Sequence, residues 1–233
     1  MERGIPVAYM SRKRTNTKLE IIRVATQLFV EQGYNKTSLP KISKILNLSL
    51  GNITFHFPTK EHLLAVLVDE LCDFQNLLME NAANEGQKSL LSYCLELTSM
   101  AAICEEDEAT KDFFTSAYAS AMSLKRIREN DTAKTKAVFA QFCPDWTQLQ
   151  WEATENIISG IEYATLMTRE SDVPLAVQIE SALNTIMMIY GVPEELRKTK
   201  IEKVLAMDYR GLGRRILKEF KEYIDKVNEE NMK

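Results

Sequence analysis

Apolar residues recur at the period of an α-helix along most of the chain, and this pattern constrains the fold more than any other feature. The clearest stretch covers residues 17–32, where one helical stripe contains Ile21, Ile22, Ala25, Leu28 and Phe29. Only eight Gly and six Pro occur among the 233 residues, which argues against a loop-rich β fold. The sequence therefore predicts an all-α protein.

Turn and capping signals divide the rest of the chain into further helices. Acidic runs, glycines and prolines that favour helix ends separate seven predicted helices after residue 84. Their spans are 87–103, 107–128, 132–142, 145–169, 174–190, 193–207 and 211–230. We expect three regions: a basic, flexible arm over 1–16, an N-terminal three-helix domain over 17–68, and a C-terminal helical bundle over 69–233.

A short helix, a turn and a second short helix are predicted between residues 38 and 56. Ser38 and Ser49 are favourable N-cap residues, and Asn47 tolerates the left-handed conformation of a tight turn. Helices this short bury their apolar residues by crossing steeply and packing on the helix at 17–32. The segment is therefore predicted to be a helix-turn-helix, whose second helix enters the major groove of DNA.

The second helix of this motif has small or polar residues where it would face DNA. Asn52 suits a bidentate contact with adenine, Thr54 suits a thymine methyl group, and Gly51 lets the backbone approach closely. Phe55 either packs against DNA or lies beneath the motif. Hydroxyl groups and lysines near helix N-termini would hold phosphates. The predicted DNA-binding residues are Thr37, Ser38, Lys41, Ser49, Leu50, Gly51, Asn52, Thr54, Phe55, His56 and Lys60.

Charge is distributed unevenly along the chain. The net charge of −4 alone argues against a nucleic-acid-binding protein. Residues 1–62, however, contain ten Lys and Arg against four Asp and Glu, whereas the remainder contains nineteen against twenty-nine. A basic N-terminal region on an acidic body favours a two-part DNA-binding protein, with a chance excess of solvated charge as the alternative.

Residues 17–68 resemble the DNA-binding domain of the tetracycline-repressor (TetR) family. The similar stretches are IIRVATQLFVEQGYNKTSLPKISKILNLSLGNITFHF and TKEHLL. They include the aromatic residue after a glycine, here Tyr34, and the Ser-x-Gly start of the second motif helix. Asn47, Leu50 and Thr54 stand where the family commonly has Gly, Lys and Tyr. These departures put the affinity and sequence of the operator in question, but not the fold.

The resemblance implies that the C-terminal body dimerises through two late helices and encloses a ligand pocket beside the fourth helix. The dimer helices would be 145–169 and 174–190, with an intramolecular core as the alternative. The predicted dimer residues are Ile157, Ile161, Ala164, Leu183, Ile186, Met187 and Tyr190. The pocket candidates are Met100, Cys104, Phe114, Tyr118, Met122, Trp146, Trp151 and Tyr163. No charged residue of the body indicates a ligand class.

The resemblance also implies a function. We expect a transcriptional regulator of the repressor type that binds a near-palindromic double-stranded DNA operator as a homodimer and responds to a small-molecule effector. A helical protein–protein adaptor that has lost DNA binding is the alternative, and salt-dependent binding to duplex DNA separates the two.

An enzyme is the main rival from another class. Both histidines, His56 and His62, lie in the DNA-binding region, and the sequence has no nucleophile elbow, phosphate loop or metal-ligand spacing. We therefore expect no catalytic residue, cofactor or metal.

Cysteines and the chain start indicate the compartment. The four cysteines are widely spaced, so buried free thiols are expected, with two disulfides as the alternative. No apolar run is long enough to span a membrane, and the first residues lack the apolar core of a signal peptide. These features predict a cytoplasmic protein without a membrane partner.

Overall fold

A computed structural model describes residues 7–83, 89–167 and 172–232, and every regular element in these ranges is an α-helix. The helices are α1 Val7–Gln32, α2 Leu39–Ile45, α3 Leu50–His56, α4 Lys60–Ala83, α5 Leu90–Glu106, α6 Glu108–Ala119, α7 Ala121–Phe139, α8 Gln148–Leu166, α9 Leu175–Ile189, α10 Glu194–Leu205 and α11 Tyr209–Met232. The prediction of an all-α protein with an N-terminal helix-turn-helix is confirmed.

The first four helices share one apolar core. Its fully buried side chains come from each helix and from the turn after α3, and they include Phe29, Ile42, Ile53, Phe57 and Leu64. Gly33, with φ 88°, directly follows α1 and ends this helix in the left-handed conformation that glycine adopts without strain. This core fixes α2 and α3 against α1 and α4.

The structure differs from the expected flexible arm over 1–16. Residues 1–6 lie outside the described residues, and α1 already begins at Val7. The reason is in the sequence: no Gly or Pro interrupts the chain between Pro6 and Gly33, so the predicted helix at 17–32 can extend towards the N-terminus.

Helix α5 is the centre of the body. Every residue from Leu90 to Cys104 is buried, because α4, α6, α8, α9, α10 and α11 pack around this helix. Helix α11 approaches α5 closely at Gly213, where a Cβ atom would lie 2.6 Å from the carbonyl oxygen of Ser99. The polar side chains of α5 therefore lie inside the protein.

Two predicted helix boundaries in the body are wrong. The helix expected over 107–128 is broken at Ser120, whose backbone is extended (φ −81°, ψ 120°) and separates α6 from α7. The break expected at 129–131 does not occur, and α7 continues through it. The polar residues there belong to the interior, since Asp131 is buried and accepts from Lys134 one turn later.

Two general properties can be read from the described residues. None of their helices combines the length and the apolar character that crossing a membrane requires. None of the four cysteines, all of which are described, forms a disulfide, and Cys94, Cys104 and Cys143 are buried.

Candidate DNA-binding surface and ligand cavity

Local hydrogen bonds define the helix-turn-helix. The Ser38 hydroxyl accepts from the backbone N–H of Lys41 at 3.4 Å, and the Ser49 hydroxyl accepts from that of Asn52 at 3.2 Å. Between the two helices, Asn47 adopts the left-handed conformation with φ 52°. Caps and turn therefore lie where the sequence predicts them, and they set the angle between α2 and α3.

Helix α3 presents one face to solvent and buries the other. Ile53 is completely buried, whereas Leu50 is 45% exposed and Phe55 is 65% exposed. Gly51 and Asn52 are also exposed, and Thr54 and His56 are half-buried. Of the two alternatives for Phe55, the structure supports the surface position. Most of the residues predicted to face DNA thus share one accessible face.

Thr37 is a correction to the predicted DNA-binding set. Its side chain is buried, and its hydroxyl donates to the carbonyl oxygen of Gly33 at 2.9 Å. Its backbone N–H donates to the carbonyl of Tyr34 at 3.1 Å. Thr37 therefore closes the turn after α1 and offers no side-chain donor to a phosphate.

Lys60 also points into the protein. Its ammonium donates to the carbonyl oxygens of Tyr34 at 3.0 Å and Thr37 at 3.1 Å, and lies 3.8 Å from the centre of the Tyr34 ring. Burial lowers the pKa of Lys60, and the nearby carboxylates of Glu61 and Asp112 oppose this shift. Lys60 thus joins the start of α4 to the turn after α1, instead of projecting towards DNA as predicted.

Other predicted phosphate-binding groups have more open positions. The hydroxyls of Ser38 and Ser49 belong to exposed residues at the edge of the motif. Lys41 is half-buried, and its ammonium donates to the side chain of Gln32. Lys44 is exposed on α2.

The body contacts the N-terminal domain directly through Asp112 of α6. One carboxylate oxygen accepts from the backbone N–H of Asn35 at 2.8 Å, and the other accepts from the Asn35 side chain. A Cβ atom at Gly33 would clash with the same carboxylate. The turn after α1 is therefore held from the body side by α6.

A small cavity lies between α4, α5, α6, α7 and α8. Its volume is about 40 Å³. Three predicted pocket residues line it: Met100, Phe114 and Tyr118. Its remaining apolar wall includes Val68 and Leu71 of α4, the helix that continues into the N-terminal domain.

The other predicted pocket residues do not line this cavity. Trp146 and Trp151 pack on each other and on Tyr190, with ring centroids 4.9 and 5.7 Å apart. Met122 and Tyr163 are exposed at the surface, and Cys104 is buried elsewhere on α5. Helical periodicity found the large side chains of the body but did not indicate which neighbour each one meets.

Charged groups occupy one end of the cavity. Lys134 lies among them, and its ammonium donates to Asp131 at 2.8 Å and to both carboxylate oxygens of Glu96 at 3.0 Å. Glu162 accepts from the hydroxyls of Tyr118 at 3.0 Å and Tyr93 at 3.3 Å. The cavity is therefore polar at this end and apolar at the other.

Burial shifts the pKa values in this cluster. Desolvation, reinforced by the charges of Glu162 and Asp131, raises the pKa of Glu155 to about 9. Desolvation and then Asp131 raise the pKa of Glu162 to about 8. Burial alone would lower the pKa of Lys134, but the surrounding carboxylates outweigh it and raise that pKa. Burial therefore disfavours the ionised forms of Glu155 and Glu162.

The sequence contained a signal for this cluster. Glu155 and Glu162 occupy the same helical stripe of α8 as the buried residues Trp151, Ile158 and Leu166. A carboxylate in an apolar stripe indicates a buried charge that needs a partner.

The predicted dimer residues divide into two groups. Those on α9 and just after it are completely buried in the core of the same chain: Leu183, Ile186, Met187 and Tyr190. For these four the dimer prediction is wrong, and the intramolecular alternative is correct. On α8, by contrast, Ile157 is 60% exposed, Ala164 is exposed and Ile161 is half-buried.

Comparison with known proteins identifies the N-terminal domain. Residues 21–67 match the family model described as bacterial regulatory proteins, tetR family. The HTH-type transcriptional regulator QacR of Staphylococcus aureus (strain Mu50 / ATCC 700699) is 41% identical over 54 residues, which cover 23% of this chain and 29% of that protein. The uncharacterized HTH-type transcriptional regulator YuxN of Bacillus subtilis (strain 168) is 33% identical over 78 residues, or 34% and 27% of the two chains.

The chain thus spans less than a third of the length of these two curated relatives. Among solved structures, the TetR family protein CprB from S. coelicolor A3(2) is 20% identical, with a TM-score of 0.43. The alignment covers 89% of this chain and 99% of that one.

Proposed function

The chain carries a tetR-family domain at residues 21–67, and we propose that this domain makes the protein a DNA-binding transcriptional regulator of the repressor type. The single observation that carries the proposal is the exposed face of α3, which the buried side chain of Ile53 anchors to the core beneath. An α-helix fits the major groove, which is about 12 Å wide.

Each exposed residue of α3 has a role in this proposal. Asn52 reads adenine through its amide, and Gly51 allows the helix backbone to come close to the base edges. Leu50 and Phe55 form an apolar edge that packs against thymine methyl groups or sugars. Ser38, Ser49, Lys41 and Lys44 contact phosphates and fix the register of α3 in the groove. Thr37 and Lys60 are left out because their polar atoms bond within the protein.

We further propose that the protein binds its operator as a homodimer formed through α8 and α9. Small and apolar residues form an exposed stripe on α8 at Ala153, Ile157, Gly160 and Ala164. On the outward face of α9, Val177 and Met188 are exposed. A two-fold axis through this surface would place two copies of α3 in successive major grooves about 34 Å apart, which calls for a near-palindromic operator.

The cavity in the body is the proposed effector site. Because Val68 and Leu71 line it from α4, a ligand that enlarges it would displace the helix whose first turns belong to the DNA-binding domain. A coupling of about 1–3 kcal/mol between the two sites would change operator affinity about 5- to 150-fold. If compounds bind the cavity and leave operator affinity unchanged, the cavity is not an effector site and the body serves only for dimerisation.

Selection of bound duplexes from a random DNA library tests the proposed function. We expect two inverted half-sites separated by about one helical turn, with affinity that falls steeply as salt concentration rises. Binding without sequence preference, or with no salt dependence, would favour the adaptor alternative.

A further inference from the structure

We propose that the carboxylates of Asp131, Glu155 and Glu162 form a binding site for a divalent metal ion that prefers oxygen ligands, such as Mn²⁺, Mg²⁺ or Ca²⁺. The three residues come from α7 and α8; Asp131 and Glu162 line the polar end of the cavity in the body, and Glu155 has a carboxylate oxygen within 4.8 Å of theirs. All three are buried, so an ion bound there would be enclosed by the protein.

The spacing of the carboxylates suits a metal ion. One oxygen from each residue lies within 4.8 Å of the other two. A point equidistant from three atoms at this limit is about 2.8 Å from each, and small side-chain rotations would shorten this to the Ca²⁺–oxygen range of about 2.3–2.6 Å. Carboxylates without nitrogen or sulfur ligands favour hard cations.

Glu155 supplies an independent reason to expect a ligand. It is completely buried, and among the described residues no donor lies within hydrogen-bond distance of either carboxylate oxygen. The nearest cationic groups are engaged elsewhere: Lys134 donates to Asp131 and Glu96, and Arg128 donates to Ser159 at 3.0 Å. A buried carboxyl group without a partner is costly, and a metal ion would provide the missing interaction.

The charge balance of the cluster also calls for a cation. Four acidic side chains, those of Glu96, Asp131, Glu155 and Glu162, surround the single ammonium of Lys134. A divalent ion would offset the negative charge of these carboxylates.

The size of the cavity favours an inorganic ion over an organic amine. A volume of about 40 Å³ accommodates an ion with one or two waters. An organic cation would need large movements of the wall. In addition, the Tyr118 and Tyr93 hydroxyls both donate to Glu162 and hold its carboxylate in position, as outer-shell groups commonly do for metal ligands.

Metal binding by the free protein stands apart from DNA binding. One part of this inference rests on the proposed function: that the bound metal ion is the effector that changes operator binding. The two claims can therefore fail separately, and each has its own measurement.

The test is a titration of Mn²⁺ into the full chain after treatment with EDTA, followed by the electron paramagnetic resonance signal of free Mn²⁺. We expect one ion bound per chain and at least tenfold weaker binding for Glu155→Gln. Glu152→Gln is the matched control, since Glu152 is exposed one turn earlier on the same helix and should bind Mn²⁺ as the wild type does. No binding of Mn²⁺, Mg²⁺ or Ca²⁺ up to about 1 mM, or unchanged binding by Glu155→Gln, would overturn the proposal.

Further measurements separate loss of the metal site from loss of the fold and from binding of an organic cation. Glu155→Gln removes a carboxyl group without a partner and should fold, which circular dichroism checks; Asp131→Asn provides a second variant that should lose the ion. If the diamine putrescine raises Tm while Mn²⁺ does not, the site takes an organic cation and the metal proposal is wrong. Operator binding by the EDTA-treated protein then shows whether the proposed function stands without the metal.

Discussion

At the scale of single residues, Glu155 and Glu162 should control how stability depends on pH. Their pKa values are raised to about 9 and 8 in the folded protein, from an ordinary value of 4.5. Between about pH 5 and pH 8 the folded chain therefore binds more protons at these groups than the unfolded chain. The free energy of unfolding should then fall as pH rises through this range.

Urea denaturation of metal-free protein at several pH values measures this effect. We expect the decline between pH 5 and pH 8 to be smaller for Glu155→Gln, which has no proton to lose, and unchanged for Glu152→Gln. The charged groups that face Glu155 are Glu162, Asp131, Lys134 and Arg128, and the titratable hydroxyls of Tyr93 and Tyr190 also lie near it; all are intact in both variants. Equal slopes for wild type and Glu155→Gln would contradict the assignment of a buried, protonated carboxyl group.

Lys60 is predicted to act on stability and not on DNA contact. Lys60→Met keeps the aliphatic stem but removes two hydrogen bonds to backbone carbonyls, which should cost about 1–2 kcal/mol of unfolding free energy. The slope of log affinity against log salt should stay unchanged. Lys44→Met, which changes an exposed lysine of α2, should lower that slope by about one unit if Lys44 contacts a phosphate. A reduced dependence of log affinity on log salt for Lys60→Met would show that Lys60 contacts DNA after all.

Residue type and motif position predicted the caps and the turn that define α3, but not the side-chain directions of Thr37 and Lys60 next to it. The cap residues and Asn47 have strong local preferences, so their roles could be predicted from the sequence alone. The hydroxyl of Thr37 and the ammonium of Lys60 can bond either to a phosphate or to a backbone carbonyl. Their direction depends on the turn after α1, which the sequence pattern does not specify.

At the scale of elements, the contact between α6 and the turn after α1 should make that turn sensitive to substitution. Gly33→Ala introduces a side chain at φ 88° and a clash with Asp112. We expect a loss of more than about 1 kcal/mol of unfolding free energy. Because the clash disappears in Gly33→Ala/Asp112→Ala, the double variant should lose less than the sum of the single losses. Additive losses in urea denaturation would show that α6 does not hold this turn.

The exposed stripe of α8 carries the prediction for assembly. Ile157→Asp places a charge in the centre of the proposed interface and should shift the protein from dimer to monomer at micromolar concentration. Light scattering after size-exclusion chromatography measures the mass. Met122→Asp is the control, because Met122 is an exposed apolar residue of a different helix, α7. A wild-type monomer, or an unaffected dimer for Ile157→Asp, would contradict the assignment of α8.

Helix periodicity predicted where the helices of the body lie in the sequence, but it did not predict which helices pack against each other. The apolar stripe of α9 is real, but it faces the core of its own chain and not a second copy. The polar run at 129–131 resembles a loop in the sequence, yet it lies inside α7 because Asp131 pairs with Lys134. Both outcomes depend on which helices pack together, and that information is not contained in the period of one helix.

At the scale of the whole molecule, α4 and α11 connect the two regions. Helix α4 begins in the N-terminal domain and lines the cavity of the body. Helix α11 packs against α1, α4 and α5. Its Arg210 pairs with Glu105 at 2.7 Å, and its Lys221 pairs with Glu31 of α1 at 3.3 Å. A change in the cavity therefore has a continuous path of packed helices to α3.

The most direct measurement is the affinity of the full chain for its selected operator, compared between the wild type, Asn52→Ala and Gln141→Ala. Asn52→Ala should lose about 1–3 kcal/mol of binding free energy and relax the preference at one base pair of each half-site. Gln141→Ala removes an exposed amide in the turn after α7 and should bind as the wild type does. Wild-type protein that binds no duplex at low salt, or Asn52→Ala with unchanged affinity and preference, would contradict the role of α3 as a recognition helix.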